Sequence, residues 1–129
     1  LKMNIYRIFK EKGESFFRKF EEKITLQELR KKNIIISLGG GAFINPKIRE
    51  QILLNSKCFW LDLDTKLIAK RLVRSKKRPL LSNTNLGETL EKIYKERKNA
   101  YSQANYRVDC NKLSANLITN KIIEIYVSN

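Results

Sequence analysis

Arg97 lies on the apolar face of a predicted helix, a position where a charged side chain needs a partner. It follows Ile93 by four residues and precedes Tyr101 by four, so the three share one stripe of a helix predicted over residues 88–104. An unpaired buried charge destabilises a fold strongly, and a bound anion or a carbonyl group would therefore account for this arginine. The alternative is that Arg97 reaches water or pairs with a structural carboxylate.

Arg18 raises the same question in an earlier helix. It lies beside the amphipathic stripe of Phe17, Phe20 and Ile24, which follow the i, i+3, i+7 pattern. Glu21 comes three residues later, where its carboxylate can hold the guanidinium in place. Guanidinium groups bind carboxylates through two parallel hydrogen bonds, so two such arginines would suit a carboxylate ligand. Taken alone, Arg18 and Glu21 could equally form an exposed ion pair.

Three consecutive glycines, Gly39, Gly40 and Gly41, follow an apolar run. Without side chains they allow the backbone to approach a ligand closely and to offer N–H donors. They do not form the phosphate-binding loop GxxxxGK[ST], because no glycine of this chain precedes a lysine. The alternative is a turn between a strand and a loop.

Arg78 is a further candidate, in a basic stretch over residues 75–87 that has neither helix nor strand periodicity. A loop of this length in a compact domain is more often functional than accidental. An arginine on such a loop can close over phosphates and stabilise charge in the transition state of phosphoryl transfer. The alternative is a solvated charge within a basic run.

The composition excludes several classes of protein. The 129 residues fit one domain, and a content of 42% hydrophobic and 31% charged residues is ordinary for a soluble, cytoplasmic protein without membrane contact. The chain has no histidine, which removes Ser-His and Cys-His catalysis and most zinc sites. The net charge of +14 is scattered over all segments rather than gathered in one stripe, so no nucleic-acid partner is expected. Cys58 and Cys110 are expected to be buried free thiols.

Hydrophobic periodicity and capping residues indicate how these candidates are positioned. Strands alternate with helices, which predicts βαβ units and a three-layer α/β sandwich around a parallel sheet. Ligands of such folds bind at the carboxyl ends of the strands, where the glycine triplet lies. The first predicted helix carries Ile5, Ile8 and Phe9 and is ended by Gly13, and the second lies within 13–24. The later elements are a short helix capped by Thr25, a doubly buried strand at 33–38, a helix at 46–54, a strand at 58–64, helices at 65–74 and 88–104, a strand at 106–110, and a last helix capped by Ser114.

Four segments together resemble the shikimate kinase family. They are IFKEKGESFFRKFE, IIISLGGGAF, RPLL and ERKNAY, which occur in the order and at the spacing of that family and span essentially the whole chain. The resemblance implies a P-loop kinase fold like that of nucleoside-monophosphate kinases. It also implies an enzyme of aromatic amino-acid (chorismate) biosynthesis that uses ATP and Mg2+ to phosphorylate the 3-hydroxyl of shikimate.

The resemblance implies a role for each candidate. Arg18 and Arg97 would bind the shikimate carboxylate, within a domain whose substrate-binding helices cover residues 3–32. Arg78 would act on ATP as the catalytic arginine of a lid over about 75–87. The residues implied to bind shikimate are Arg18, Glu21, Gly39, Gly40, Gly41 and Arg97.

The resemblance also implies parts that these 129 residues do not contain. The family begins with a strand, a phosphate loop, a helix and a second strand ending in Asp-x-Asp. A single domain over 1–129, incomplete at its N-terminus, is therefore expected to lack the first two strands and the Mg2+ ligands, and to be a monomer that is inactive by itself. The family strand order, 2-3-1-4-5, would leave a slot between the strands at 33–38 and 58–64 and favour aggregation. The alternatives are a degenerate binding module of this family or a related P-loop small-molecule kinase.

Overall fold

The computed structural model describes residues 3–73 and 85–129. Six α-helices, one 3-10 turn and two strands lie in these ranges: α1 Ile5–Lys12, α2 Glu14–Glu28, the 3-10 turn Ala42–Ile44, α3 Pro46–Asn55, β1 Phe59–Asp62, α4 Thr65–Leu72, α5 Leu86–Tyr101, β2 Tyr106–Asp109 and α6 Ala115–Ser128. Arg78 and most of the predicted lid lie outside the described residues. None of the described helices has both the length and the apolarity that crossing a membrane requires.

The two described strands pair in parallel, with Phe59 opposite Tyr106 and Asp62 opposite Asp109. Two helices, α4 and α5, lie between them in the sequence, as a parallel connection requires. Trp60 packs on Tyr94 with ring centroids 6.5 Å apart, which places α5 against one face of the strand pair. The prediction of an α/β fold with parallel strands is confirmed.

The principal core cluster lies around the 3-10 turn and α3. Ala42, Phe43, Ile48 and Ile52 are all nearly inaccessible to solvent. Half-buried side chains pack against this cluster from several other elements: Leu26, Leu29, Leu38, Leu53, Cys58 and Tyr101. The chain that enters the 3-10 turn is therefore held by contacts from α2, α5 and the start of β1.

Local capping chemistry sets several helix starts where the sequence predicts them. The Asn45 side chain accepts hydrogen bonds from the amides of Lys47 and Ile48, at 2.9 and 3.4 Å, and Pro46 begins α3. Ser114 accepts from the Leu117 amide at 3.2 Å and begins α6. These short-range bonds depend on residues within three positions of each other, so they are readable from sequence.

The capping signature of Thr25 does not begin a new helix. The Leu29 amide donates to the Thr25 carbonyl at 2.9 Å, and α2 runs through this position without a break to Glu28. Thr25 is buried, at 9% exposure. Nothing before it interrupts the helix, so Thr25 keeps helical backbone geometry rather than the extended geometry that an N-cap needs.

Residues 33–38 do not form the doubly buried strand that their β-branched sequence predicts. Asn33, with φ of 59°, ends the turn after α2, and the segment that follows has no strand partner among the described residues. Ile34, Ile35 and Ile36 are 44%, 100% and 37% exposed. A strand is defined by hydrogen bonds to a neighbour, so the sequence pattern alone cannot create one.

The long helix begins two residues earlier than predicted. Leu86 and Gly87, expected in the lid, form the first residues of α5, which follows Asn85 as its N-cap. The helix ends at Tyr101 rather than near 104, because the amides of Gln103 and Ala104 bond to carbonyls three residues back in successive turns. A shift of this size at a helix end changes neither the face nor the spacing of Arg97 and Tyr101.

Candidate functional site

Arg18 projects from α2 as one half of a fixed pair with Glu21. Its Nη1 donates to Glu21 Oε1 at 2.9 Å, the i, i+3 contact that the spacing predicts. Glu14 Oε1 lies 3.6 Å from Arg18 Nε on the other side, and the guanidinium carbon is 5.2 Å from the centre of the Phe17 ring. The Arg18 and Glu21 side chains are only 30% and 16% exposed. The pair is therefore partly desolvated, unlike a typical surface ion pair.

The glycine turn, defined as residues 39–41, lies directly against this pair. A Cβ placed on Gly41 would be 2.6 Å from Arg18 Nη2 and 2.7 Å from its guanidinium carbon. A Cβ on Gly39 would be 3.5 Å from Glu21 Oε2. Only a residue without a side chain allows the guanidinium so close to the backbone at position 41.

The helix α5 reaches the same turn from another element. A Cβ on Gly40 would be 2.7 Å from the Tyr101 hydroxyl and 3.2 Å from Arg97 Nη1. The Tyr101 hydroxyl donates a 2.8 Å hydrogen bond to the Gly40 carbonyl. Arg97 and Tyr101 are one helical turn apart, so both side chains meet the glycine turn from one face of α5.

Arg97 has no structural carboxylate partner within residues 3–73 and 85–129. It is half-buried, and none of the ion pairs formed by the described side chains includes it. The sequence alternative of a structural ion pair is therefore not found in the described part of the chain. Two guanidinium groups and the Glu21 carboxylate lie close to the glycine turn, while the Glu14 carboxylate lies behind Arg18 and is 54% exposed. The side chains nearest the turn therefore have a positive balance suited to an anion.

A second group of contacts anchors the backbone that leaves the turn. Arg49 Nη1 donates to the carbonyls of Phe43 and Ile44, at 3.0 and 3.1 Å. The Ala42 amide donates to the Gly39 carbonyl at 3.0 Å, which closes the turn on itself. The glycine turn is thus held on a rigid support even though its own residues have no side chains.

A buried carboxylate ties α5 to the two strands. Asp62, 7% exposed, accepts from Arg107 Nε at 2.8 Å across the strand pair and from the Tyr94 hydroxyl at 3.4 Å. Burial raises the pKa of the Tyr94 hydroxyl, and the neighbouring Asp62 carboxylate raises it further. Tyr94 therefore remains a neutral donor at physiological pH. These contacts hold the helix that carries Arg97 and Tyr101.

Six of the seven predicted site residues are brought together, and the seventh lies outside the described residues. Arg18 bonds to Glu21 at 2.9 Å, and Arg18, Glu21 and Arg97 lie so near the three glycines that an added Cβ on each glycine would be within 3.5 Å of one of them. Arg78 lies in the undescribed range 74–84. The sequence analysis placed Tyr101 only in an apolar stripe and missed its hydroxyl. The available signal was its position four residues after Arg97.

Comparisons with known proteins identify the relatives of this chain. The family model described as shikimate kinase matches residues 1–126. The shikimate kinase of Bartonella quintana is 36% identical over 121 residues, covering 94% of this chain and 58% of that protein, and the one from Bacillus subtilis is 38% identical over 126 residues, covering 95% and 66%. This chain thus spans about six-tenths of the length of such curated relatives.

The fold matches solved members of the same group. The shikimate kinase of Acinetobacter baumannii, solved in complex with shikimate, superposes with a TM-score of 0.93 at 29% identity, covering 98% of this chain and 71% of that one. The Aquifex aeolicus shikimate kinase superposes with a TM-score of 0.74 at 26% identity, covering 95% and 71%. The match of the family model over nearly every residue, together with these relatives, shows that the chain belongs to the shikimate kinase family.

Proposed function

We propose that this chain forms the shikimate-binding part of a shikimate kinase, a cytoplasmic monomer that transfers a phosphoryl group from ATP to the 3-hydroxyl of shikimate in aromatic amino-acid biosynthesis. The observation that carries the proposal is the approach of Arg18 and Arg97, from two helices, to one glycine turn. Membership of the family and the positive balance of the site support the same conclusion.

The carboxylate of shikimate would bind between the two guanidinium groups. Arg18 is already oriented by Glu21, at 2.9 Å, so little side-chain freedom is lost when the ligand binds. Arg97 has no competing carboxylate among the described residues, so its donors are available to the ligand. Charge-assisted hydrogen bonds of this kind contribute about 1.5–3 kcal/mol each.

The glycine turn would face the hydroxyl groups of the substrate. Its three residues present backbone atoms without side chains, and the Gly41 amide donates to no acceptor among the described residues. Such an amide can bind a ligand oxygen directly. We expect Gly40 and Gly41 to contact the ring substituents, while the two arginines orient the ring through its carboxylate.

Phosphoryl transfer needs groups beyond this site. Mg2+ bound to ATP neutralises the charge that develops on the transferred group. The described residues offer no cluster of three acidic or cysteine side chains that could hold a metal ion. Arg78 is proposed to act on ATP from the lid.

Calorimetric titration of the chain with shikimate tests the proposal. We expect binding in the wild type and a loss of about 10-fold to 100-fold in affinity in Arg97→Ala and in Arg18→Ala, equivalent to one charge-assisted interaction each. Arg7→Ala, which removes the same charge from an exposed ion pair on α1, is the matched control and should bind normally. Unchanged affinity in both site variants would refute the carboxylate clamp.

Shikimate amide provides a sharper version of the experiment. Replacing the carboxylate with a neutral amide should weaken binding to the wild type more than binding to Arg97→Ala, in which only Arg18 still contacts the carboxylate. It should hardly affect the double variant Arg18→Ala, Arg97→Ala, which has lost both partners. Equal losses in the wild type and in Arg97→Ala would show that Arg97 does not contact the carboxylate.

Turnover is a separate question. We predict that the polypeptide of 129 residues binds shikimate without catalysing the reaction, because it contains no GxxxxGK[ST] sequence to hold the phosphates. Coupled detection of ADP release checks this, and shikimate-dependent ADP release from the purified polypeptide would contradict it.

A further inference from the structure

One hydrogen bond connects the two sides of the site through the backbone. The Tyr101 hydroxyl donates to the Gly40 carbonyl at 2.8 Å, across 61 residues of sequence. Tyr101 is the last residue of α5, and Gly40 lies in the middle of the glycine turn. The bond therefore attaches the end of the helix that carries Arg97 to the loop that Arg18 touches.

The position of the Tyr101 hydroxyl is set by packing. Its ring lies between Phe43 and Trp60, with ring centroids 6.4 and 6.0 Å away and tilted by 48° and 53°. Phe43 is buried in the core cluster, so the ring is held by the 3-10 turn on one side and by β1 on the other. A hydroxyl on a ring held in this way cannot follow the loop if the loop moves.

The bond also orients the next peptide group. No described peptide bond is cis, so the carbonyl of Gly40 and the N–H of Gly41 lie in one peptide plane and point in opposite directions. When the carbonyl is held by Tyr101, the Gly41 amide must point away from Tyr101. That amide donates to no acceptor in the described parts of the chain. Tyr101 thus sets the direction of the Gly41 N–H, a backbone donor that no described residue uses.

Arg97 is placed by the same contact. Its Nη1 lies 3.2 Å from where a Gly40 Cβ would be, so any movement of the turn relative to α5 changes the distance between this guanidinium and the backbone donors. A carboxylate and the hydroxyl groups of one rigid ligand require those donors to keep a constant separation.

We infer that Tyr101 is a positioning residue: by holding the Gly40 carbonyl, its hydroxyl fixes the glycine turn relative to Arg97 and aims the Gly41 amide at the ligand. This inference rests on the proposed function for the identity of the ligand. Its structural part, the control of the turn by one hydroxyl group, does not depend on which ligand binds.

Tyr101→Phe removes only the hydroxyl and keeps the ring packing. The Gly40 backbone is exposed, so water can satisfy the carbonyl in the variant and the fold should persist. Tyr106→Phe is the matched control: its ring packs on Phe59 with centroids 5.1 Å apart, and its hydroxyl forms no hydrogen bond with the described residues.

Nuclear magnetic resonance and calorimetry together decide the inference. In Tyr101→Phe we expect a changed carbonyl 13C shift at Gly40, lower order parameters for the amides of Gly40 and Gly41, and shikimate affinity reduced about threefold to tenfold, as for one neutral hydrogen bond. In Tyr106→Phe we expect none of these changes. Thermal unfolding of both variants, measured in parallel, separates positioning from a general loss of stability.

Two results would overturn the inference. Unchanged carbonyl shifts and order parameters in Tyr101→Phe would show that the hydroxyl does not hold the turn. Wild-type affinity despite a mobile turn would show that holding it is irrelevant to the ligand. If the wild type itself fails to bind shikimate, the proposed function fails, and the resonance measurements on the free protein still decide whether the hydroxyl controls the turn.

Discussion

The Gly41→Ala substitution tests the geometry of the site with one methyl group. Gly41 has φ of −74° and ψ of −23°, which alanine adopts without strain, so the backbone does not oppose the change. The new Cβ would come closest to Arg18 Nη1, and it would lie 2.6 Å from Nη2 and 2.7 Å from the guanidinium carbon. The steric conflict is therefore with one side chain and not with the local conformation.

The size of the effect follows from that distance. The Arg18 guanidinium must retreat by about 1 Å before its nearest atom, Nη1, reaches 3.4 Å, the short limit of ordinary contact. A shift of this size disturbs the 2.9 Å bond to Glu21 and the alignment with a bound carboxylate. The arginine is flexible, so we expect the fold to survive while binding loses part of one charge-assisted interaction, about 1.5 kcal/mol or about tenfold in Kd.

Titration with shikimate and thermal unfolding measure the two consequences separately. Gly87→Ala is the matched control, because among the described residues its Cβ would meet only Asn85 Oδ1, at 3.7 Å, in the first turn of α5. Gly39→Ala, with its Cβ at 3.5 Å from Glu21 Oε2, should cost less affinity than Gly41→Ala.

A double-substitution cycle refines the test. If Gly41→Ala acts through Arg18, it should cost nothing further in an Arg18→Ala background, because the displaced group is already absent. Additive losses would show that the methyl group acts by another route. Wild-type affinity in Gly41→Ala would refute the claim that Arg18 binds the ligand from its observed position.

Other predictions concern stability, association and thiol chemistry. Ile48→Ala should lower the free energy of unfolding by about 3 kcal/mol, because Ile48 is 1% exposed in the core cluster. Leu54→Ala on the same helix should change it by less than about 0.5 kcal/mol, because Leu54 is 69% exposed. Urea unfolding of the two variants measures the difference. Ile35→Lys should reduce self-association in sedimentation velocity without lowering the unfolding midpoint, because Ile35 is fully exposed, and unchanged association would exclude this segment as its cause. Burial raises the pKa of the Cys58 thiol, so less thiolate is present at any pH below that value. Its alkylation, followed by peptide mapping, should therefore reach half-maximal rate at a higher pH than that of a cysteine peptide, and an equal midpoint would contradict the burial.

Short-range patterns predicted much of this molecule. Asn45, Pro46 and Ser114 act on residues within one helical turn, so the starts of α3 and α6 follow from local chemistry. Arg97 and Tyr101 share a helix face because of the helical repeat alone. A charged residue on an apolar face is a conflict visible in the sequence, and Arg97 is half-buried near Gly40 without a carboxylate partner among the described residues.

Other features depend on groups that are distant in the sequence. Thr25 has the spacing of a helix start, but the continuous packing of α2 overrides it. Residues 33–38 have the composition of a buried strand, yet a strand requires a hydrogen-bonding neighbour, and the described sheet contains only β1 and β2.

Local sequence patterns thus predicted most of the helices and the residue types of the candidate site: two arginines, one glutamate and three glycines. Only the tertiary structure decided that the Arg18 guanidinium lies against Gly41, that Arg97 approaches Gly40, and that the Tyr101 hydroxyl holds the Gly40 carbonyl. The difference comes from the sequence separation over which each kind of interaction acts. Propensities and caps act over about one turn of helix, whereas the site is closed by contacts between residues some 20 to 60 positions apart, whose distances depend on how the core around Phe43 is packed.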